Sequence, residues 1–122
     1  MPFNIEYDAD EEIVVSTFIG EITMTVIKEY IAALLPVLEE TRCRKLLSDS
    51  RNGALKVSSI DILKFPKMAE ASPLTSRLKR ALLTRPGTSG YEMYATMCNA
   101  HGQSVKLFNS RAEAIAWLHA DN

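Results

Sequence analysis

Polar and charged residues stand directly after several apolar segments that are typical of β-strands. Asp49-Ser50-Arg51 follows one such segment, and Arg85 with the stretch Gly87–Gly90 follows the next. In open α/β sheets, ligands bind at the edge formed by the carboxyl ends of parallel strands. Backbone amides of Gly87–Gly90 ahead of a helix, with two nearby arginines, would suit an anion. The alternative is a Pro-Gly turn followed by an ordinary Thr or Ser helix cap, which the lack of a Rossmann or P-loop glycine pattern favours. The candidate switch or anion edge comprises Asp49, Ser50, Arg51, Arg85, Thr88 and Ser89.

Ser50 is also a candidate phosphorylation site. A phosphate would add about −2 charge beside Asp49, which would repel it, whereas Arg51 would attract it. A loop rearrangement or the release of a partner would follow. The alternative is a turn in which Asp49 and Ser50 bind local backbone amides.

A second group of residues is apolar and flexible enough to line a ligand pocket. Thioether side chains adapt to varied ligands, and Met93 and Met97, four residues apart, share one helix face. Phe65 and Met68 flank Pro66 in an irregular segment, where a cavity wall could form. The alternative is that such a stripe is ordinary core. The candidate pocket comprises Phe65, Met68, Tyr91, Met93, Tyr94 and Met97.

Catalytic and metal-binding patterns are absent from the sequence. His101 and His119 have no Cys, His or paired carboxylates at metal-ligand spacing, and no nucleophile elbow is present. Cys43 and Cys98 lie far apart, and we interpret them as small residues of a reducing compartment rather than a redox pair. The sequence therefore predicts a protein that is not an enzyme and that uses no metal or cofactor.

Length and charge bound the remaining possibilities. A chain of 122 residues with 47% hydrophobic content predicts one domain over residues 1–122. Residues 1–40 carry nine acidic residues and one basic residue, whereas residues 41–85 carry eleven basic and three acidic. This asymmetry predicts a basic face for a phosphorylated or acidic partner, or charge complementarity between two copies in a homodimer. The alternative is complementarity within the chain or simply solvated faces, and the lack of interleaved aromatics argues against nucleic acid. The longest apolar run, Ile31–Leu38, is too short to span a bilayer, and the acidic start resembles no signal peptide, so we expect a cytoplasmic protein without a membrane span.

Hydrophobic spacing predicts the elements of the N-terminal half. Alternation from Phe3 to Tyr7 and over Ile13–Ile19 predicts an antiparallel hairpin. Thr23 or Thr25 caps the following helix, which Pro36 is expected to kink or to end early. Arg44–Ser48 then predicts a third strand, with a loop over residues 49–53.

The C-terminal half is predicted to alternate between helices and strands. Ser58 opens a second helix, Leu78–Thr84 is the fourth strand, and Tyr91–His101 is a helix that Gly102 terminates. The strand Val105–Phe108 leads into a helix that Ser110 and Glu113 begin as a capping box. The resulting order, ββαβαβαβα, predicts a mixed α/β sheet of about five strands whose later strands are parallel.

Several of these segments together resemble the bacterial SpoIIAA-like family, and the resemblance covers nearly the whole chain. Its most specific part is the closing helix with Ala114-x-x-Trp117-Leu118 after Val105-x-x-Phe108. The other parts are Gly20-Glu21-Ile22-Thr23, Lys45-Leu46-Leu47-Ser48-Asp49-Ser50-Arg51 and Arg80-Ala81-Leu82-Leu83. The resemblance implies a fold shared with STAS domains and related to CRAL-TRIO lipid-binding domains.

The resemblance also implies two functions. The first is binding of a small hydrophobic ligand. The alternative is a regulatory protein-interaction module, because anti-sigma-factor antagonists of the wider superfamily are phosphorylated on a serine in an Asp-Ser-Ser-Gly context. In this sequence Arg51 replaces the second serine, and Gly53 is displaced by one residue.

Overall fold

The five strands of the described chain form one mixed sheet. The structure, a computed structural model, describes residues 2–70, 72, 77–88 and 90–120. The strands are β1 (Phe3–Asp8), β2 (Ile13–Ile22), β3 (Lys45–Leu55), β4 (Lys79–Leu83) and β5 (Ser104–Phe108). The helices in these ranges are α1 (Met24–Thr41), α2 (Ser59–Ile62), α3 (Phe65–Glu70), α4 (Tyr91–Ala100) and α5 (Arg111–His119). Within the same ranges no helix has both the length and the apolar character to cross a membrane.

The strand order is β1-β2-β3-β4-β5, with β1 antiparallel to β2 and every later pair parallel. This confirms the predicted hairpin, the parallel strands and the α/β class. The two faces of the sheet are covered differently. Helices α1 and α4 pack on one face, the α1 face, where Leu46 and Leu82 point. Helix α5 packs on the other, the α5 face, against Leu47 and Leu83. Successive strand residues point to opposite faces, which explains this division.

Helix α1 begins where the sequence predicts but ends later. The Val26 N–H donates to Oγ1 of Thr23, so Thr23 is the cap. The helix then continues through Pro36 to Thr41, so the expected early end is wrong. Leu38, beyond the proline, is completely buried in the core of the α1 face. Its burial, worth about 2 kcal/mol, offsets much of the helix-breaking effect of the proline.

The segment 49–53 is strand, and the loop predicted there is wrong. β3 runs to Leu55 and pairs with β2 along this whole length. The pairing shifts between Thr17–Asp49 and Ile19–Asn52, so β3 contains one extra residue at that point, a β-bulge. Polar residues typical of loops are tolerated because the backbone hydrogen bonds with β2 continue beyond the bulge.

The remaining elements follow the prediction closely. Ser58 caps α2 by accepting a hydrogen bond from the Asp61 N–H. The predicted second helix is split into α2 and α3, and Pro66 occupies the first turn of α3, where its missing N–H is not needed. Ser110 accepts a hydrogen bond from the Glu113 N–H at 3.4 Å and caps α5.

Candidate functional site

A cavity of about 120 Å³ lies on the α1 face, between the cores formed by α1 and by α4. Its floor is the sheet, and α3 contributes to its wall. Five lining residues keep partial exposure, Ile27 and Ile31 of α1, Leu55 of β3, Met68 of α3 and Tyr94 of α4, so the opening lies among these elements. The lining comprises Phe18, Ile22, Ile27, Tyr30, Ile31, Leu34, Leu46, Ser48, Ser50, Leu55, Phe65, Met68, Leu78, Arg80, Leu82, Tyr91 and Tyr94.

The bulge in β3 determines which residues reach the cavity. Ser48 and Ser50, two residues apart, point to the α1 face as strand alternation requires. Leu55 is five residues beyond Ser50, so strict alternation would direct it to the other face. The extra residue between Asp49 and Asn52 restores its orientation, and Leu55 lines the cavity beside Ser50. The cavity wall therefore depends on the bulge.

Arg80 of β4 is the charged residue of the lining. Its side chain is 8% exposed, and it lies between Leu78 and Leu82, which line the same cavity. Nη1 donates to the Tyr94 hydroxyl, and Nη2 donates to Oε1 of Gln103. The buried Nε has no hydrogen-bond partner. Within the described part of the chain, no carboxylate forms an ion pair with Arg80.

The ionisable groups near Arg80 are neutral at pH 7. Burial raises the pKa of Tyr94 to about 12, although Arg80 opposes the shift. Burial likewise raises the pKa of Tyr30, and it raises the pKa of the Cys98 thiol. For Arg80 itself, burial acts to lower the pKa, but the negative charges that Tyr94 and Cys98 acquire when they lose their protons outweigh it, and the pKa is raised. At pH 7 both neighbours are neutral, so Arg80 is a cation without a neighbouring negative charge among the described residues.

Tyr91 adds a second unpaired polar group to the lining. Its hydroxyl is buried and makes no hydrogen bond with the residues that the structure describes. Burial raises the pKa of Tyr91, and the nearby Ser50 side chain opposes that shift without reaching hydrogen-bonding geometry. The buried hydroxyls of Ser16 and Tyr30 do form a hydrogen bond with each other, with the two oxygens 2.6 Å apart. The cavity thus combines an apolar wall with a few polar groups, two of which lack partners.

Four of the six residues of the candidate pocket line this cavity: Phe65, Met68, Tyr91 and Tyr94. Phe65 and Tyr94 also pack edge to face, with ring centroids 5.3 Å apart. The structure does not bring Met93 and Met97 to the cavity. Met93 is 43% exposed, and Met97 is half-buried elsewhere on α4. The face of α4 that packs inward is instead the one bearing Tyr91, Ala95 and Cys98.

The candidate switch or anion edge is divided between the two faces of the sheet. Ser50 is buried and faces the cavity, whereas Asp49 points to the α5 face, where Arg111 contributes to its electrostatic environment. Arg51 binds Asp49 through Nε at 3.0 Å and Nη2 at 2.9 Å. Partial burial acts to raise the pKa of Asp49, but the hydrogen bonds from Arg51 outweigh it and lower that pKa.

The strand-to-helix turn after β4 holds the rest of that edge. Arg85 donates to Oδ1 of Asn52 at 2.9 Å, and the Thr88 hydroxyl donates to the Arg85 carbonyl at 2.8 Å. Ser89 lies outside the described residues. Gly90 begins α4 with φ +93° and no side-chain cap, a conformation that glycine adopts without strain. Thr88 therefore does not cap the helix.

Neither the cysteines nor the histidines are among the described residues that line the cavity. Cys43 donates to the backbone carbonyl of Lys45, and His119 lies 3.2 Å from a carboxylate oxygen of Glu11. Cys98 is completely buried and forms no disulfide. Among the residues that the structure describes, no group of three or more His, Cys, Asp or Glu side chains is placed to hold a metal ion.

Sequence reasoning missed Arg80, although a signal was present. Arg80 stands two residues from both Leu78 and Leu82 in a predicted strand, so all three share one face. A charged residue in an apolar stripe marks a buried polar site. Ser48 was missed because a lone serine in an apolar strand is unremarkable. The spacing of apolar residues in α1 indicates that one face of this helix packs on the sheet. The spacing alone does not distinguish a helix that lines a cavity from one that packs in a filled core.

Comparisons with known proteins identify the fold. No protein-family model and no curated protein matches the sequence. Among solved structures, an uncharacterized protein with a SpoIIAA-like fold from Shewanella loihica PV-4 matches with TM-score 0.63 and 16% identity, over 95% of this chain and 91% of that chain. An anti-sigma factor antagonist from Mycobacterium paratuberculosis matches with TM-score 0.65 and 15% identity, over 97% and 95% of the two chains. The anti-sigma factor antagonist SpoIIAA in its unphosphorylated form matches with TM-score 0.59 and 17% identity, over 98% and 99%. These likenesses confirm that this chain has the SpoIIAA-like fold.

Proposed function

We propose that this chain binds a small, largely apolar molecule in the cavity on the α1 face. The observation that carries the proposal is the cavity itself, about 120 Å³ enclosed mostly by aliphatic and aromatic side chains. An engineered apolar cavity of about 150 Å³ binds benzene, so the enclosed part of the ligand is about that size. The role proposed is binding rather than catalysis, and it requires no metal or cofactor.

Ligand entry is proposed to occur between α1 and α3. Met68 is half-buried and stands at this opening, whereas the equally half-buried Met97 on α4 does not line the cavity. The two methionines therefore make a matched pair for substitution. A tryptophan at position 68 would fill the opening, while the same change at position 97 adds similar bulk outside the cavity.

The experiment measures binding of hexan-1-ol, a neutral probe of suitable size, by thermal shift and by heteronuclear NMR titration. Wild type and Met97→Trp are expected to bind, with a stabilisation that rises with probe concentration as RT ln(1 + [L]/Kd). Met68→Trp is expected to lose most of this stabilisation. If wild type shows neither a concentration-dependent shift nor NMR changes in cavity residues, the proposal fails. Native mass spectrometry of freshly purified protein would separately reveal a retained ligand.

A regulatory protein-interaction module is the second candidate function, which the fold shared with two anti-sigma factor antagonists supports. In this proposal Ser50 is the switch. Its side chain is buried in the cavity wall, so phosphorylation would require β3 to open locally there, and the added charge would then prevent reclosure. The test compares the partners captured by wild type, Ser50→Asp and the exposed control Ser104→Asp. An identical set of partners for all three folded proteins would contradict the switch.

We also propose that the chain forms a homodimer, from its charge distribution, and that it is cytoplasmic, from its composition. The acidic residues 1–40 and the basic residues 41–85 would attract each other between two copies of the chain in the cytoplasm. Light scattering in low and high salt tests the dimer, which is expected to weaken as salt screens the charges. A monomer under both conditions would contradict it.

A further inference from the structure

Arg80 is a buried cation that has no negative partner among the residues the structure describes, which is uncommon in folded proteins. Buried charges are almost always paired, because an isolated charge in an apolar interior is strongly unfavourable. Arg80 is 8% exposed, and its contacts are the neutral groups Tyr94 and Gln103. Its side chain also lines the cavity proposed above to hold a ligand.

The unused donors of Arg80 suit a carboxylate. A guanidinium carries five N–H donors, and two of them are used in the bonds to Tyr94 and Gln103. The buried Nε–H is among the remaining donors. The same molecule shows how Nε and Nη2 of an arginine bind a carboxylate side by side, at 3.0 and 2.9 Å, in the pair of Arg51 with Asp49.

The charge and size of the cavity restrict the ligand further. Arg80 is the one charged residue among the described residues of the lining, so it can balance one negative charge and not the two of a phosphate monoester. The rest of the wall is largely apolar, and the cavity volume of about 120 Å³ accommodates roughly six non-hydrogen atoms by comparison with benzene, so the end of a longer chain lies in the opening beside Met68. From these observations, and resting on the proposed function, we infer that the ligand is a monocarboxylate with a short aliphatic chain, whose carboxylate binds Arg80 while its chain points toward Met68.

The experiment compares hexanoate with hexan-1-ol, which share a chain length and differ in charge. Isothermal titration calorimetry at pH 7 on wild type is expected to give a Kd for hexanoate at least about tenfold lower than that for hexan-1-ol. Arg80→Met retains the length and apolar bulk of the side chain but removes the charge. This variant is expected to bind hexanoate no more tightly than it binds hexan-1-ol.

The outcomes separate this inference from the proposed function. If wild type binds hexan-1-ol as tightly as hexanoate, or more tightly, the inference is overturned while the apolar cavity site stands. If Arg80→Met still prefers hexanoate, Arg80 does not bind the carboxylate and the inference is likewise overturned. Binding of neither probe by wild type would overturn both. The wild-type comparison needs no variant, so it decides the question even where Arg80→Met does not fold.

Discussion

Gln103 links the buried Arg80 to the helix that covers the cavity, and this link predicts a measurable energetic coupling. Gln103 is 6% exposed; its Oε1 accepts from Arg80, and its Nε2 donates to the Pro66 carbonyl at 3.0 Å. Gln103→Leu keeps the approximate volume and removes both bonds. Combined with Arg80→Met it completes a double-mutant cycle, which measures how strongly the two residues depend on each other.

The magnitude follows from the groups that each variant leaves unpaired. Gln103→Leu leaves the Pro66 carbonyl without a donor, at about 1–3 kcal/mol, and an Arg80 N–H without an acceptor, at about 1.5–3 kcal/mol. Its expected destabilisation is therefore about 3–5 kcal/mol. Arg80→Met leaves Gln103 Oε1 unpaired but removes an uncompensated charge, so we expect about 0–2 kcal/mol. The double variant leaves the Pro66 carbonyl and the Tyr94 hydroxyl without their partners, and the second loss is shared with Arg80→Met, so the double variant should be more stable than additivity predicts by about 2 kcal/mol or more.

Urea unfolding at pH 7, monitored by circular dichroism and by Trp117 fluorescence, gives the four free energies of unfolding by linear extrapolation. The m-values must agree among the variants for the cycle to be valid. Lys106→Met, an exposed change on the other face of the sheet, is the control, and its effect should add to that of Gln103→Leu within about 0.5 kcal/mol. The same additivity between Arg80→Met and Gln103→Leu would refute the buried network described here.

Three further predictions concern the strand β3 and the last helix, and urea unfolding checks each of them. Gly53→Ala should destabilise the fold by about 1 kcal/mol, because the added Cβ would lie 2.8 Å from the Ile22 Cδ1, which has to shift, and 3.2 Å from the Phe18 Cβ; an unchanged midpoint would contradict strand packing at Gly53. Ser110→Ala should remove the cap of α5 and reduce stability by about 1 kcal/mol, which Ser110→Asn should largely preserve. Asp49→Asn should reduce stability at pH 7 by less than about 1 kcal/mol, since its partner Arg51 is 42% exposed. Folding lowers the pKa of Asp49, so this stabilisation is present above the pKa of the unfolded chain, about 3.9, and is lost as pH falls through the lower folded value; a difference that persisted in acid would contradict the assignment.

Much of the fold could be predicted from local patterns in the sequence. The capping serines and threonines act within one helical turn, and Thr23, Ser58 and Ser110 all begin the helices expected of them. The alternation of apolar and polar residues correctly predicted the hairpin, and the order of strands and helices correctly predicted the parallel strands. The errors at Pro36 and at residues 49–53 share one cause. At both places tertiary packing or sheet pairing outweighs a local preference that residue type alone indicates.

The candidate site was less predictable than the fold, because a cavity forms where side chains from several elements do not fill the space between them. Tyr91 and Tyr94 were identified as pocket residues, and both line the cavity, whereas Met93 and Met97 do not. Which residues of this short helix reach the cavity depends on how the helix is rotated about its own axis. Contacts with β4 and β5 determine that rotation, and residue type does not indicate it. The bulge in β3 shifts the register of the strand and so turns Leu55 toward the cavity. The alternation of residue types along the strand does not indicate this shift.

The cavity has a simple structural origin, which connects its shape to its charge. The connection between β2 and β3 supplies the 18-residue helix α1, about 27 Å long, whereas the described part of the connection between β3 and β4 supplies α2 and α3, of four and six residues. A helix of six residues is only about 9 Å long and does not cover the middle of a sheet. Between these described helices, the centre of the α1 face is left with a gap beside Arg80. If a full layer of packed helices filled this gap, it would bury the charge of Arg80 without a partner. One ligand would remedy both deficits, because an aliphatic chain fills the gap in the helical layer while its carboxylate supplies the missing counter-charge. A neutral ligand would fill the gap and leave the charge unpaired, which is why the comparison between hexanoate and hexan-1-ol tests the physical basis of the site.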